Sequence, residues 1–348
     1  MQRRQLLTVA AGGALLTALW PLPARAGSLP EYVPAAQVAG TLRCGGADTM
    51  QQLIDAWAQG FARYQPHAHI QSRHDLHLST AGFAELLRAH IDLVSFVREP
   101  FAAETAAFSA KFGYAPTLLA IAGGSYSTKS GTHAIAVFVN AANPLTRMDL
   151  VQLDAIYSAE RRRGGAAIRT WGQLGLLGEW AQRPLHVYGM LHRRASGNPP
   201  GIVNFLQQRV LRGGEFRNDI REQIDHPGET ALDAIVHRVS QDPAGIGYSG
   251  FAYAERGTKT LALAEAGDGP FYSGTPAEVA RRAYPLSRQI YLGFNAAPAR
   301  PAPALLREFL SFVLSRQGQQ AIAADRMHFI PLSIDEAARS RATLDRLS

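Results

Sequence analysis

Three stretches of the chain share one chemical design. Each runs from an extended apolar segment through a turn of small and hydroxyl-bearing residues into a helix-like pattern; they are Gly45–Met50, Ser79–Gly82 and Ser196–Gly201. The first turn of a helix leaves up to four N–H groups unpaired and carries partial positive charge. Glycine or a hydroxyl residue there lets an oxyanion approach the backbone closely. Three such turns meeting at one point would hold a phosphate-like anion with neutral dipoles and hydroxyls. Arg193 and Arg194 lie just upstream of the third turn, and guanidinium forks match phosphate oxygens two at a time. Asp48 is the carboxylate at a helix start. It would accept a hydrogen bond from the proton that phosphate keeps near neutral pH and sulfate lacks. Each turn taken alone reads equally well as a plain helix cap, and His192-Arg193-Arg194 as a solvated basic stretch.

Other chemistries find little support. His67, His69, His74 and His77 lie close together, and neutral imidazoles ligate metals. No H-E-x-x-H pattern accompanies them, so no metal site is expected. Ser196 is not in a G-x-S-x-G elbow, and neither a Walker A segment nor a G-x-G-x-x-G fingerprint occurs. No catalytic residue and no cofactor are expected. Arg161-Arg162-Arg163 beside Gly164-Gly165 reads as an exposed loop, not as a nucleic-acid contact. The lone cysteine, Cys44, excludes an intramolecular disulfide and any multi-cysteine cluster. It is expected to be a buried small residue closing the first strand.

The elements that must position these turns alternate in type. Strands are expected at Gly40–Cys44, His69–Ser72, Ile91–Phe96, Leu118–Ala122, Ala134–Val139, Leu185–Tyr188, Gly245–Tyr248 and Ile290–Phe294. Met50, Leu53, Ile54, Trp57 and Phe61 fall at spacings of three and four, which predicts a helix capped by Asp48 or Thr49. Further helices are expected from Ser79 through His90, over Leu150–Tyr157, from Ser196 to Leu211, over Ala231–Val239, and around Leu305, Leu306, Phe309, Leu310 and Val313. Strands alternating with helices indicate an α/β architecture. Residues 27–37 read as a loose leader.

Residues 1–26 combine a basic start (Arg3, Arg4), an apolar run from Leu6 to about Leu22, and Ala24-Arg25-Ala26. That is an export signal with an A-x-A cleavage pattern, and Arg3-Arg4 resembles a twin-arginine signal. The mature protein is expected to start near Gly27 and to be periplasmic or secreted. A length of 348 residues suggests two domains at roughly 100–200 residues each. With 47% hydrophobic and 18% charged residues, the chain is too apolar for disorder. The formal charge of +7 is spread along the chain and does not by itself indicate nucleic acid.

Over about residues 38 to 333 the chain resembles the phosphate-type substrate-binding proteins of ABC transporters. The carrying segments are Gly46-Ala47-Asp48-Thr49-Met50, Ser79-Thr80-Ala81, Val97-Arg98 after Asp92, Gly113-Tyr114-Ala115-Pro116-Thr117, and Ala134–Asn140 with Asn143-Pro144-Leu145. Trp171-Gly172-Gln173-Leu174-Gly175, Ser196-Gly197, Gly245-Ile246-Gly247-Tyr248-Ser249, Tyr284-Pro285-Leu286-Ser287-Arg288 and Leu314-Ser315-Arg316-Gln317-Gly318-Gln319 follow in order. The resemblance implies a type II periplasmic binding protein fold of two α/β lobes joined by two crossing segments. Lobe I would hold residues 38–140 with 251–348, and lobe II residues 141–250. Thr49, Met50 (through its N–H), Ser79, Arg98, Ser196, Gly197 and Asn198 would line the cleft between them, with Asp48 and Arg193 or Arg194 beside them. The protein would be a monomer that captures phosphate or a similar oxyanion and presents it to an ABC permease in the inner membrane. No covalent chemistry is required.

Departures fall on the ligand turns. Ala47 stands where the family usually has Ser, Val97 where Ser usually precedes Arg98, Met190 where Arg often follows a Tyr-Gly pair, and Asn198 where Thr follows Ser-Gly. Two residues also look inserted before Ser196. The alternative reading is therefore a diverged member with weak or no phosphate binding, serving in sensing, adhesion or the uptake of another oxyanion. An exported enzyme such as a phosphatase is a third.

Overall fold

A computed structural model describes residues 29–347 apart from 130, 191–196, 223, 225, 226 and 299. Residues 1–26, expected to be an export signal, and the candidate residues Arg193, Arg194 and Ser196 lie outside the described residues. The elements run β1 (Gly40–Gly46), α1 (Gln51–Ala62), β2 (Ala68–Arg73), α2 (Ser79–Leu87), β3 (Leu93–Phe96), α3 (Ala102–Phe112), β4 (Thr117–Gly123), β5 (Ile135–Asn140), β6 (Arg147–Asp149) and α4 (Leu150–Tyr157). They continue with β7 (His186–Val187), α5 (Gly201–Arg209), α6 (Ala231–Gln241), β8 (Gly245–Gly250), β9 (Thr258–Thr260), β10 (Ala262–Ala264), α7 (Pro276–Ala280), β11 (Gln289–Phe294), α8 (Ala304–Val313), α9 (Arg316–Ala323), β12 (Ile330–Pro331) and α10 (Ile334–Asp345).

Two main sheets form. The first has six strands in the order β12-β4-β11-β3-β1-β2. β1 pairs in parallel with β2 and β3, while β11 is antiparallel to β3 and β4. The second has the order β7-β8-β5-β9, and a two-stranded pair β10-β6 stands beside it. Separate cores back the two sheets. One draws its buried residues from Ala134 to Leu286, the other from Leu29–Ala122 and Ile290–Leu344. This is the two-lobe type II periplasmic binding protein fold.

The apolar periodicity translates directly into packing. Met50, Leu53, Ile54, Trp57 and Phe61 are all buried, and Trp57 Nε1 donates to the Gly318 carbonyl at 2.9 Å, tying α1 to α9. Gly318 has no room for a side chain, because a Cβ there would sit 2.3 Å from the Phe312 carbonyl oxygen. Cys44 is fully buried and free, and burial, with Asp92 nearby, pushes its thiol up to about 12.

Three expectations need correction. Residues 29–37, the described part of the expected leader at 27–37, are not loose. Leu29, Tyr32 and Val38 are buried, and the Tyr32 hydroxyl donates to Glu308 Oε2 at 2.6 Å. The cap expected from Asp48 or Thr49 is also missing. A 3-10 turn over Asp48–Met50 precedes α1, and no side chain caps either segment. Finally, β5 was expected in the first lobe, yet it lies at the centre of the second sheet. It is hydrogen-bonded to β8 on one side and β9 on the other, so strand pairing places it there despite its position before residue 140.

Candidate functional site

The parallel strands β1 and β3 end side by side, with Gly46 opposite Ser95. A Cβ on Gly46, whose φ is +143, would lie 2.6 Å from the Ser95 carbonyl oxygen. The start of α2 presses onto the same point. A Cβ on Gly82 would meet Gly46 Cα at 2.7 Å and the Gly45 carbonyl at 3.0 Å, and the Ser79 hydroxyl donates to the Ser95 carbonyl at 2.9 Å. The first two turns of the expected site therefore converge, at the carboxyl ends of parallel strands where open α/β sheets bind their ligands.

Hydroxyls gather there with unspent capacity. Among the described residues, Thr49 Oγ1 and Ser95 Oγ are buried and have no hydrogen-bond partner. Buried polar atoms are nearly always paired, with protein, water or ligand, so these two oxygens are left to a water or to a ligand at this turn. Other donors at the turn are spent within the chain. The Met50 N–H donates to the Ala47 carbonyl at 3.0 Å, closing the 3-10 turn, and the Met50 side chain is in the core. Asp48 is exposed, and its Oδ1 accepts the Thr49 N–H at 2.7 Å.

Arg98 follows β3 and is only 8% exposed. Its guanidinium reaches Glu104 at 2.6 and 2.8 Å, Thr80 Oγ1 at 2.8 Å and the Glu99 carbonyl at 3.0 Å. The Arg98 guanidinium carbon stands 3.7 Å from the Phe101 ring centre. Glu104, in the first turn of α3, thus holds the arginine by a fork-to-fork pair and balances its charge. Glu104, Thr80, Glu99 and Ser95 were absent from the sequence-derived site. The signal for Glu104 was an acidic residue six positions after Arg98, at the start of an alanine-rich helix.

The third turn departs from expectation. The helix begins at Gly201, not at Ser196, because Pro199 and Pro200 intervene. A residue before proline is pushed out of the helical region, so Asn198 cannot belong to the helix. Gly197 is exposed at φ +78 and Asn198 is half-buried. The α5 start nevertheless meets the first lobe, since a Cβ on Gly201 would lie 3.3 Å from Arg98 Cβ. At the far end of α5, Arg163 donates to the carbonyls of Val210 and Arg209, at 2.6 Å each. This satisfies orphan carbonyls and places a cation at the negative end of the helix. One member of the expected Arg161–Arg163 loop therefore serves a helix whose other end faces Arg98. No group of three His, Cys, Asp or Glu side chains suited to a metal forms among the described residues. No helix of the described residues is long and apolar enough to cross a membrane.

Residues 33–317 match the family model described as a PBP superfamily domain. The chain is 35% identical over 312 residues to "Phosphate-binding protein PstS" of Pseudomonas aeruginosa, covering 89% of this chain and 90% of that one. Among solved structures it is similar to PstS from Borrelia burgdorferi, with a TM-score of 0.56 at 16% identity, covering 84% of this chain and 99% of that one. It is also similar to an ABC-type phosphate transport receptor from Vibrio cholerae, with a TM-score of 0.50 at 18% identity, covering 83% and 99%.

Proposed function

The chain belongs to the phosphate-type substrate-binding proteins of the PBP superfamily, and from that premise we propose that it captures inorganic phosphate between its lobes and delivers it to an ABC permease. The observation that carries this reading is the pair of buried, unpartnered hydroxyls of Thr49 and Ser95. They lie where β1 and β3 end and where α2 starts. Two hydroxyls beside the positive end of a helix, here the start of α2, suit an oxyanion. Arg98 lies beside them, so that side of the cleft can form charge-assisted hydrogen bonds. Because Glu104 balances Arg98, further positive charge falls to Arg193 or Arg194 of the segment before Gly197.

The lobes are taken as two bodies, with the crossings expected near residues 140 and 250 moved to about 124–134 and 284–289, where the chain passes from one sheet to the other. The export signal at 1–26 places the mature protein in the periplasm or outside the cell. It acts as a monomer that binds without turning its ligand over, through no catalytic residue and with no part for nucleic acid.

Isothermal titration of the mature, phosphate-stripped protein tests the function. Phosphate is expected to bind at one site per chain and more tightly than sulfate. Absence of phosphate binding overturns the proposal and favours a diverged member serving another oxyanion. The charge pairing of Arg98 by Glu104 is the observation on that side.

A further inference from the structure

One face of α5 carries Gly201, Asn204, Phe205, Gln208 and Arg209, which recur at helical spacing along a single stripe. Each of them meets the loop after β3 or the segment leading into β11. Asn204 is 5% exposed and its Nδ2 donates to the Glu99 carbonyl at 2.9 Å. Gln208 donates to the Pro100 carbonyl and to Asn204 Oδ1, both at 3.1 Å, so the two amides fix each other's orientation. Arg209 Nε donates to the Pro285 carbonyl at 3.1 Å. Arg288, 4% exposed, lies 5.0 Å from the Phe205 ring centre and donates to the Glu99 carboxylate at 3.0 Å. Every one of these bonds runs between groups of the chain itself. Together they fix the α5 start over Arg98.

We propose that Glu99, Asn204, Gln208 and Arg288 form a latch that holds α5 of the second lobe on the first lobe without ligand, presetting the helix start against Arg98 before an anion arrives. These are positioning residues and make no ligand contact. Glu99 is the pivot. Its carbonyl receives Asn204 from one lobe and Arg98 from the other, and its carboxylate receives Arg288 from a crossing segment. A protein whose competent, closed arrangement is already populated loses little affinity to closure, because apparent affinity scales with the competent fraction. Removing the latch lowers that fraction and raises the apparent Kd in proportion. The affinity part of this inference rests on the phosphate-capture reading; the conformational part does not.

The test uses the full mature chain, stripped of phosphate, in small-angle X-ray scattering with and without inorganic phosphate, followed by phosphate titration. Wild type is expected to have nearly the same radius of gyration in both conditions. Asn204→Ala/Gln208→Ala is expected to be larger without phosphate, to contract when phosphate is added, and to bind about tenfold more weakly. Gln208 is exposed, so Gln208→Ala alone provides a folded variant if the pair does not fold, with the same shift in smaller measure. A wild type that opens when phosphate is removed, or a variant as compact as wild type without phosphate, overturns the latch. If wild type binds no phosphate, the capture reading fails, and the phosphate-free comparison of wild type with the variants still decides the latch.

Discussion

Thr49 and Ser95 each keep a buried hydroxyl oxygen without a partner, a cost normally avoided. That cost makes opposite predictions for stability and for binding. Thr49→Val replaces the hydroxyl by a methyl of similar size. In phosphate-free protein it should leave the melting temperature unchanged or raise it, while phosphate affinity falls by about 1–3 kcal/mol. Calorimetric melting and titration of the same preparation measure both. A variant that melts lower with unchanged affinity would mean the hydroxyl serves the fold alone. For Arg98→Ala the two readouts should fall together. Its Glu104 partner is 10% exposed, and leaving a buried carboxylate unpaired costs about 3–5 kcal/mol. That the turn at Gly46–Met50, the turn at Ser79 and the strand end before Arg98 are places for chemistry was readable in the sequence, because helix-start turns and strand ends are local patterns. Glu104 and Ser95 were not, since nothing local shows that the α3 start folds back on Arg98 or that Ser95 faces Gly46.

Helices with a clean apolar period were readable. The expected Leu150–Tyr157 is α4 residue for residue, and the face of Leu306, Phe309, Leu310 and Val313 is the buried face of α8. By contrast, α3 buries only Phe108, and α10 mixes buried Ala337, Ser340 and Leu344 with charged residues. Neither carries a stripe that stands out against its neighbours. β6, β9 and β10 are three residues each, too short for alternation to show. α2 offers the sharpest test of how an element places the site. Its Gly82 lies against the backbone of Gly45 and Gly46, and that close approach brings Ser79 within reach of the Ser95 carbonyl. Gly82→Ala must push the two backbones apart. It should destabilise the protein by about 1–3 kcal/mol, as overpacking does. It should also weaken phosphate binding beyond what Ala causes at an exposed α2 position. Urea unfolding and titration measure the two effects, and an intact affinity would show that α2 need not seat closely.

The two-lobe plan was legible from the alternation of elements, but the place where the chain crosses was not. The boundary expected at residue 140 fell at the end of an apolar strand, before the break at Asn143-Pro144, and only pairing with β8 and β9 assigns that strand, β5, to the second sheet. The segments where the chain passes from one sheet to the other carry groups that tie the two sheets together. Thr132 donates its hydroxyl to the Val97 carbonyl, and His133 packs so closely that a Cβ on Gly250 would lie 2.8 Å from it. His133 is 7% exposed, stands edge-on to Tyr253 at 5.2 Å, and has its Nε2 buried without a partner. Burial holds its pKa down, from the ordinary 6.5 to about 4, and the Arg288 charge adds to the effect against a hydrogen bond at Lys129. Between these two values the unfolded chain takes up a proton that the folded chain refuses. Stability therefore rises with pH across that window. It is complete above about pH 6.5 and drains as the pH falls toward 4, with a total on the order of 3 kcal/mol. Carboxylates behave differently: Asp219, held below its ordinary value by the Arg217 guanidinium, gives up its contribution only below that value, so the two effects occupy separate pH ranges. Urea unfolding of wild type and His133→Gln at intervals from pH 7.5 to 4 measures the difference. The variant should be less stable at neutral pH and should lose markedly less stability than wild type on the way down. Parallel profiles would mean that His133 takes its proton without resistance and that the packing around this crossing yields to a buried charge.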